Sequence, residues 1–274
     1  MKTVSTHGIH SVIVSAVAAS LFASQCSAAD NRAKPLLRAH AHNDYLHDRP
    51  LLDALDNGFC SVEADIFLVE GELLVAHTRS ELSEENSLEN LYLEPLRKRI
   101  EQNGGRVYAS GPAFTLLIDI KSDGETTYRA LHHVLLQYHD IFSRVEDGHV
   151  HEKAVTAIVS GNRPHAAIAG DSPRYVGIDG RLSDLDSDQP AHLMPLISDN
   201  WRNHFKWRGD GDLPATERMK LLKIVQQTHS RNRRIRFWAT PDKPAVWKAL
   251  DEAGVDLINT DNLPGLGTFL RETL

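Results

Sequence analysis

From Pro35 onward, short apolar runs alternate with amphipathic segments along the chain. The runs Leu36–Ala41, Ser61–Phe67, Thr115–Lys121, Ala154–Val159, Tyr175–Asp179, Leu193–Ser198, Ile235–Ala239 and Val255–Asn259 read as eight strands. Between them, polar faces recur at helical spacing over Arg49–Asn57, Ser87–Gln102, Thr126–Tyr138, a short stretch after Pro164, Ala215–His229, Pro244–Ala253 and a final segment from Leu263. One unit departs from this order: Phe67 to Val69, then Glu70-Gly71, then Glu72 to His77 reads as a β-turn and a returning strand. Strand–helix alternation with apolar strands predicts parallel βαβ units, and eight of them predict a closed (β/α)8 TIM barrel with a hairpin excursion after the second strand. An open doubly wound sheet would carry a glycine-rich loop after its first strand. Here that position holds His40-Ala41-His42-Asn43-Asp44, without glycine.

The first 29 residues read differently. Lys2 is the only charge before Asp30, the stretch from Val12 to Phe22 is apolar, and Ser27-Ala28-Ala29 is a small-residue cleavage pattern. The apolar run is well short of the roughly 20 residues that a spanning helix needs. Residues 1–29 are therefore expected to be a secretory signal peptide, with residues 30–274 a single barrel domain exported to a periplasmic or extracellular compartment without stable membrane insertion. Removing the leader takes away Cys26 and leaves Cys60 alone, so no internal disulfide is expected, and Cys60 in an apolar run reads as a buried structural thiol.

The full chain of 274 residues has 30 Lys and Arg against 37 Asp and Glu, a net charge of -7, which argues against a nucleic-acid partner. It also has 15 His. Composition alone does not sort these rings into ligands, catalysts and surface groups. Position does, because side chains at the C-terminal ends of barrel strands converge on one mouth.

Those ends hold His40, His42, Asn43 and Asp44 after the first strand, Glu63 and Asp65 on the second, His77 after the excursion, and Asp119 and Lys121 on the third. Glu63 and Asp65 are two apart and share a face; Val62 and Ala64 take the other, so the carboxylates face the interior. Two carboxylates there repel unless a cation sits between them, and Asp119 adds a third. Three hard oxygen donors with the Asn43 amide nearby suit one Ca²⁺ or Mg²⁺ rather than zinc. Two histidines beside such a cation suit phosphoryl chemistry: one ring removes a proton from the attacking hydroxyl, the other protonates the leaving oxygen, and Lys121 steadies phosphate charge. His42, His77 and His40 are the candidates for those roles, and the first two are expected to fill them because they fall in motif positions. His40 shares the face of His42 and either replaces it as base or orients it.

The runs His42-Asn43-Asp44-Tyr45, Ser61-Val62-Glu63-Ala64-Asp65, Val75-Ala76-His77 and Leu117-Ile118-Asp119-Ile120-Lys121 resemble the phosphatidylinositol phospholipase C-like phosphodiesterase superfamily, which includes glycerophosphodiester phosphodiesterases and sphingomyelinases D. The resemblance implies a metal-dependent phosphoric diester hydrolase acting on a glycerophosphodiester or phospholipid-like headgroup. It also implies a catalytic His42, a metal-ligand Asn43, a third metal carboxylate at Asp119 and a phosphate contact at Lys121. The chain lacks the His-Arg-Gly and Glu-Asn-Thr runs of the glycerophosphodiesterase branch. It resembles a branch with a His-x-His-Asn-Asp-Tyr start and a Phe-Trp-Ala-Thr-Pro-Asp block, here Phe237 to Asp242.

Further round the mouth, Asn162 and Arg163 follow the fourth strand, Asp179 and Arg181 the fifth, and Trp238 ends the seventh. They are candidate substrate contacts. His132, His133, His149 and His151 read as solvated groups on helices or in polar loops. A monomer is expected. The rival reading is a non-catalytic, metal-containing barrel that binds a phosphorylated lipid or sugar without turning it over.

Overall fold

The computed structural model describes residues 1–3 and 33–273. The segment read as a signal peptide therefore lies almost wholly outside the described residues. The strands are β1 (Leu36–Ala41), β2 (Phe59–Val69), β3 (Glu72–Val75), β4 (Phe114–Ile120), β5 (Arg144–Glu146), β6 (His149–His151), β7 (Val155–Gly161), β8 (Val176–Gly180), β9 (Leu196–Asn200), β10 (Arg234–Trp238) and β11 (Ile258–Thr260). The helices are α1 (Leu52–Asp56), α2 (Glu94–Gln102), α3 (Gly124–Gln137), α4 (His165–Gly170), α5 (Trp201–His204), α6 (Ala215–His229), α7 (Pro244–Glu252) and α8 (Leu263–Thr273).

Eight strands run parallel in the order β10-β9-β8-β7-β4-β2-β1-β11. The ring closes through one parallel bridge, Arg236 to Leu257, between β10 and the residues just before β11. This is the expected TIM barrel, nearly closed. The excursion is also present: β3 returns antiparallel on β2 with Val69 opposite Glu72, and Glu70 (φ 51°) and Gly71 (φ 94°) make the two-residue turn.

Several boundaries moved for local reasons. The sixth barrel strand begins at Leu196 rather than Leu193, because Pro195 has no N–H to donate to the ladder. The eighth begins at Ile258 because the amides of Asp256 and Leu257 both turn to the Ile235 carbonyl at the seam. The predicted helix from Ser87 opens as a π-helical turn over Glu89–Leu93 before α2. The short helix α5 and the β5–β6 hairpin were missed. His149 and His151 lie on β6, which pairs with β5 around Asp147-Gly148 (φ 51° and 76°), so the polar-loop reading of these two is corrected. Asp-Gly is a strong hairpin signal, but the three-residue strands beside it carry too few apolar residues to show alternation.

Alternation along the strands divides the barrel lumen into levels. Thr115, Leu117 and Asp119 share one face of β4, and their register partners on β7 are Thr156, Ile158 and Ser160. The middle level is a separate apolar cluster of Leu117, Ile158, Leu196 and Leu257. This is a single four-residue barrel layer, while the larger core fills the space between strands and helices. Polar side chains lie above and below it. Cys60 belongs to the outer core, and burial pushes its thiol up to about 12, as fits a structural cysteine.

A buried carboxylate ties down the turn that follows β1. Asp44 is fully buried; its Oδ2 accepts from the Leu51 amide (2.5 Å) and the Tyr92 hydroxyl (3.0 Å). Leu51 sits at φ 63°, ψ −49°, a conformation costly for a branched residue, so the carboxylate offsets local strain. Burial raises the Asp44 carboxyl to about 7, against the lowering effect of those two donors. The folded state thus holds a proton that the unfolded chain releases above its ordinary value near 3.8. Stability from this group is complete below that value and is lost as pH rises through about 7. Chemical denaturation at pH 5 and pH 8 should show that Asp44→Asn removes on the order of 2 kcal/mol of the stability difference between the two. An unchanged difference would rule out Asp44 as its source.

Candidate active site

The upper end of the lumen is a cavity of about 280 Å³ lined by His42, Asn43, Glu63, Asp65, His77, Asp119, Lys121, Ser160, Arg181, Arg236 and Trp238. It brings together most of the residues picked from the sequence. Asp65 on β2 lies in register with Asp119 on β4, which lies in register with Ser160 on β7, so the three project into the lumen at one level. Carboxylate oxygens of Glu63, Asp65 and Asp119 all lie within 4.8 Å of one another.

The charges around them are arranged to tolerate this. Lys121 Nζ is 3.1 Å from Asp65 Oδ2 and 3.2 Å from Asp119 Oδ2. Arg236, buried on β10, donates through NH2 to Glu63 Oε2 (2.9 Å) and through Nε to Asn259 Oδ1 (2.9 Å). Two cations thus face three carboxylates, leaving one negative charge over. Burial raises the Asp119 carboxyl to about 6, with Lys121 opposing and the Asp65 and Glu63 carboxylates adding to the rise. Asp65 is raised for the same reasons. Burial works against the Lys121 ammonium, but Asp119 and Asp65 outweigh it and hold its pKa above the ordinary value. Asp119 Oδ1 is buried and has no hydrogen-bond partner. It faces Gly161 (φ 67°), where any Cβ would overlap that oxygen.

The two candidate acid–base histidines are held differently. His42 follows β1; its amide donates to the Thr260 carbonyl and its Nδ1 lies 2.7 Å from Asp261 Oδ1. A carboxylate only accepts, so the Nδ1 proton is fixed, and Nε2 is left as an acceptor, 3.7 Å from Glu63 Oε2. His77 is half exposed. Its Nδ1 lies 3.1 Å from the Tyr45 hydroxyl and 3.2 Å from Asp65 Oδ2, which leaves its Nε2 free. The Tyr45 hydroxyl also reaches Asp65 Oδ2 (2.7 Å) and Asn43 Oδ1 (2.9 Å), and its single proton favours the nearer carboxylate.

Asn43 lines the cavity and, at φ 46°, makes the left-handed turn that closes β1. His40 does not line the cavity. It is fully buried, with Nδ1 bonded to Ser61 Oγ (2.7 Å) and Nε2 4.0 Å from Glu63 Oε2. Burial, then the Arg236 charge, holds its ring well below the ordinary histidine range, so it stays neutral beneath the site.

The remaining contacts divide. Trp238 lines the cavity, with the Arg181 guanidinium 4.9 Å from its ring centroid. Asp179 is fully buried and out of reach of a ligand: Ser160, Ser198 and Arg181 all donate to its carboxylate. It holds Arg181 in place rather than touching the cavity. Arg163 donates to the Asp179 carbonyl, and Asn162 donates to the Ser122 carbonyl (2.8 Å); neither lines the cavity. Asp261, Tyr45 and Arg236 were not picked from the sequence as site residues. The signals were there: Asp261 follows the last strand, and Arg234, Arg236 and Trp238 fall two apart on one strand.

Residues 31–179 match the model of the AIM6-like phosphodiesterase domain, and residues 234–264 match that of the Glycerophosphoryl diester phosphodiesterase family. Altered inheritance of mitochondria protein 6 of Eremothecium gossypii is 31% identical over 274 residues, covering 85% of this chain and 69% of that protein. The Altered inheritance of mitochondria protein 6 homolog of Arthroderma benhamiae is 28% identical over 258 residues, covering 82% and 81%. Among solved structures, a glycerophosphodiester phosphodiesterase from Parabacteroides distasonis superposes with a TM-score of 0.55 at 15% identity, covering 88% of this chain and 99% of that one. One from Agrobacterium tumefaciens gives 0.53 at 14%, covering 86% and 100%. At such low identity these two speak for the fold. With its AIM6-like match over more than half its length, the chain belongs to the AIM6-like phosphodiesterase domain family.

Proposed function

We propose that the protein is a metal-dependent phosphodiesterase that cleaves a glycerophosphodiester or phospholipid-like substrate in the upper cavity, with His42 and His77 as base and acid. The observation that carries this reading is the pairing of His42 with Asp261 at the rim of a cavity that also holds Glu63, Asp65, Asp119 and Lys121.

The donor set fits one Ca²⁺ or Mg²⁺. Glu63, Asp65 and Asp119 offer three hard oxygens within reach of a common point, Asp119 Oδ1 lacks any partner, and the cluster keeps a residual negative charge. When bound, the cation would neutralise charge on the phosphoryl oxygens.

The chain's own groups would do the rest. His42 Nε2 takes the proton from the attacking oxygen as its bond to phosphorus forms. His77 gives a proton from Nε2 to the leaving oxygen as the old bond breaks, while its Nδ1 stays tied to Tyr45 and Asp65. Lys121 and Arg181 pair with the non-bridging oxygens, and Trp238 covers the substrate beside them. A substrate with a hydroxyl next to the phosphate would give a cyclic phosphate; without one, water attacks directly.

Turnover of a chromogenic phosphodiester with Ca²⁺ or Mg²⁺, repeated with EDTA and with His77→Ala, tests the reading. Activity should depend on the cation and fall at least a hundredfold in the variant. Full activity in His77→Ala, or indifference to EDTA, would overturn the mechanism. Tight phosphoester binding without any turnover would favour a binding protein instead.

A further inference from the structure

The apolar layer of Leu117, Ile158, Leu196 and Leu257 has a second polar level beneath it, away from the candidate active site. Thr115, Thr156 and Arg234 project into the lumen there, at the N-terminal ends of β4, β7 and β10. They line a cavity of about 340 Å³, larger than the upper one. The β5–β6 hairpin lies across it, tied to the barrel by paired backbone hydrogen bonds between Val145 and Arg174 (2.8 Å each).

The charges in this cavity are unbalanced. Arg174 is buried; its guanidinium bonds only to the Val176 and His192 carbonyls and to His192 Nδ1 (2.9 Å). Arg234 has one hydrogen bond, NH1 to Thr115 Oγ1 (3.1 Å). Among the described residues neither has a carboxylate within ion-pair distance. At the rim, Arg144 adds a third guanidinium, paired with Glu146 at 3.2 Å, and Glu152 is the one acidic residue on the lining. Burial lowers the pKa of both Arg174 and Arg234 and outweighs the more distant carboxylates, Asp171 for the first and Asp256 for the second, neither of which makes an ion pair with its arginine. The remaining walls are largely apolar, including Ala113, Val150, Ala157, Val176 and Pro195. Apolar walls with a few convergent polar groups, at this volume, have the make-up of a small-molecule site.

We propose that the lower mouth of the barrel is a second ligand site, which takes a small organic anion: a carboxylate on an apolar body. The carboxylate meets the Arg234 guanidinium, whose remaining donors match its two oxygens, with the Arg174 charge, held on the Val176 and His192 carbonyls, beside it. The apolar body lies along Val176 and Pro195, under the hairpin. Entry is past the exposed Val150 and the half-buried Arg144 at the edge of the lining.

Calorimetric titration of the full chain with 4-phenylbutyrate, its neutral analogue 4-phenylbutan-1-ol, and inorganic phosphate tests this. Phenylbutyrate should saturate one site, and both the alcohol and phosphate should bind at least tenfold more weakly. Arg234→Gln should weaken phenylbutyrate at least tenfold. Should that variant not fold, Arg144→Glu at the rim should weaken it in the same sense. Asp119→Asn, which changes only the upper cavity, should bind it as the wild type does. Failure of phenylbutyrate to saturate, equal binding of the alcohol or of phosphate, indifference to Arg144→Glu, or loss in Asp119→Asn would each overturn the proposal.

Discussion

His42→Gln is expected to lower kcat on a chromogenic phosphodiester by about 10²- to 10⁴-fold, the range for loss of a positioned general base. Glutamine keeps much of the volume and polarity of the ring but cannot take up a proton near neutral pH. The loss should therefore fall on kcat more than on KM. Asp261→Asn gives the finer test. An amide can donate to His42 Nδ1 and so push the ring proton to Nε2, the atom that must accept. The Asp261 side chain is 66% exposed, so the amide can also turn away, and a smaller loss of about 10- to 100-fold is expected. Rates across pH separate a catalytic from a structural effect: loss of the base removes the acidic limb of the profile, whereas a folding defect scales all rates alike. More than a tenth of wild-type kcat in His42→Gln would remove this residue from the base role.

The cation gives the second large effect. Ca²⁺ or Mg²⁺ at a hundred times its Kd should stabilise the wild type by about 2.7 kcal/mol. For a domain of this size that is a rise in Tm of roughly 5–10 °C. Asp119→Asn should abolish the rise, since it replaces the carboxylate whose Oδ1 has no partner in the protein. Gly161→Ala should do the same without touching a carboxylate, because the new methyl group would occupy the space of that oxygen and strain a left-handed backbone position. Thermal melts with each cation and with EDTA read both variants. A wild-type Tm indifferent to both cations, or an equal rise in Asp119→Asn, would remove the proposed metal site.

The barrel was legible because period-2 and period-3.6 patterns each recur and alternate, and because the excursion at Glu70-Gly71 carries turn chemistry between two apolar runs. Glu63, Asp65 and Asp119 were legible for a related reason: strand parity alone sends them inward. Parity does not report depth. His40 and His42 share a face, yet one lies sealed under the site and the other at its rim. Asp179 likewise sits at a strand end but is consumed by the donors of Ser160, Ser198 and Arg181. Arg236 escaped notice because an arginine amid apolar residues looks like an exposed edge, and only closure of the ring brings β10 against Glu63. Asp261 needed not that closure but the β1–β11 ladder, which lays the last strand beside the first.

That closure is thin. Along the seam between β10 and β11 one backbone bridge stands where other strand pairs have a ladder; the Asp256 carboxylate takes the Ile235 amide, and the Arg236 side chain spans from Asn259 to Glu63. The residue that staples the barrel shut is thus bonded to a member of the carboxylate cluster. Whatever occupies that cluster acts on the staple, so occupancy and opening of the ring are thermodynamically linked. Amide hydrogen exchange at Ile235, Leu257 and Ile258 should then slow on ligand binding more than in the interior of the β4–β7 ladder, making the seam the part of the fold that senses whether the site is filled.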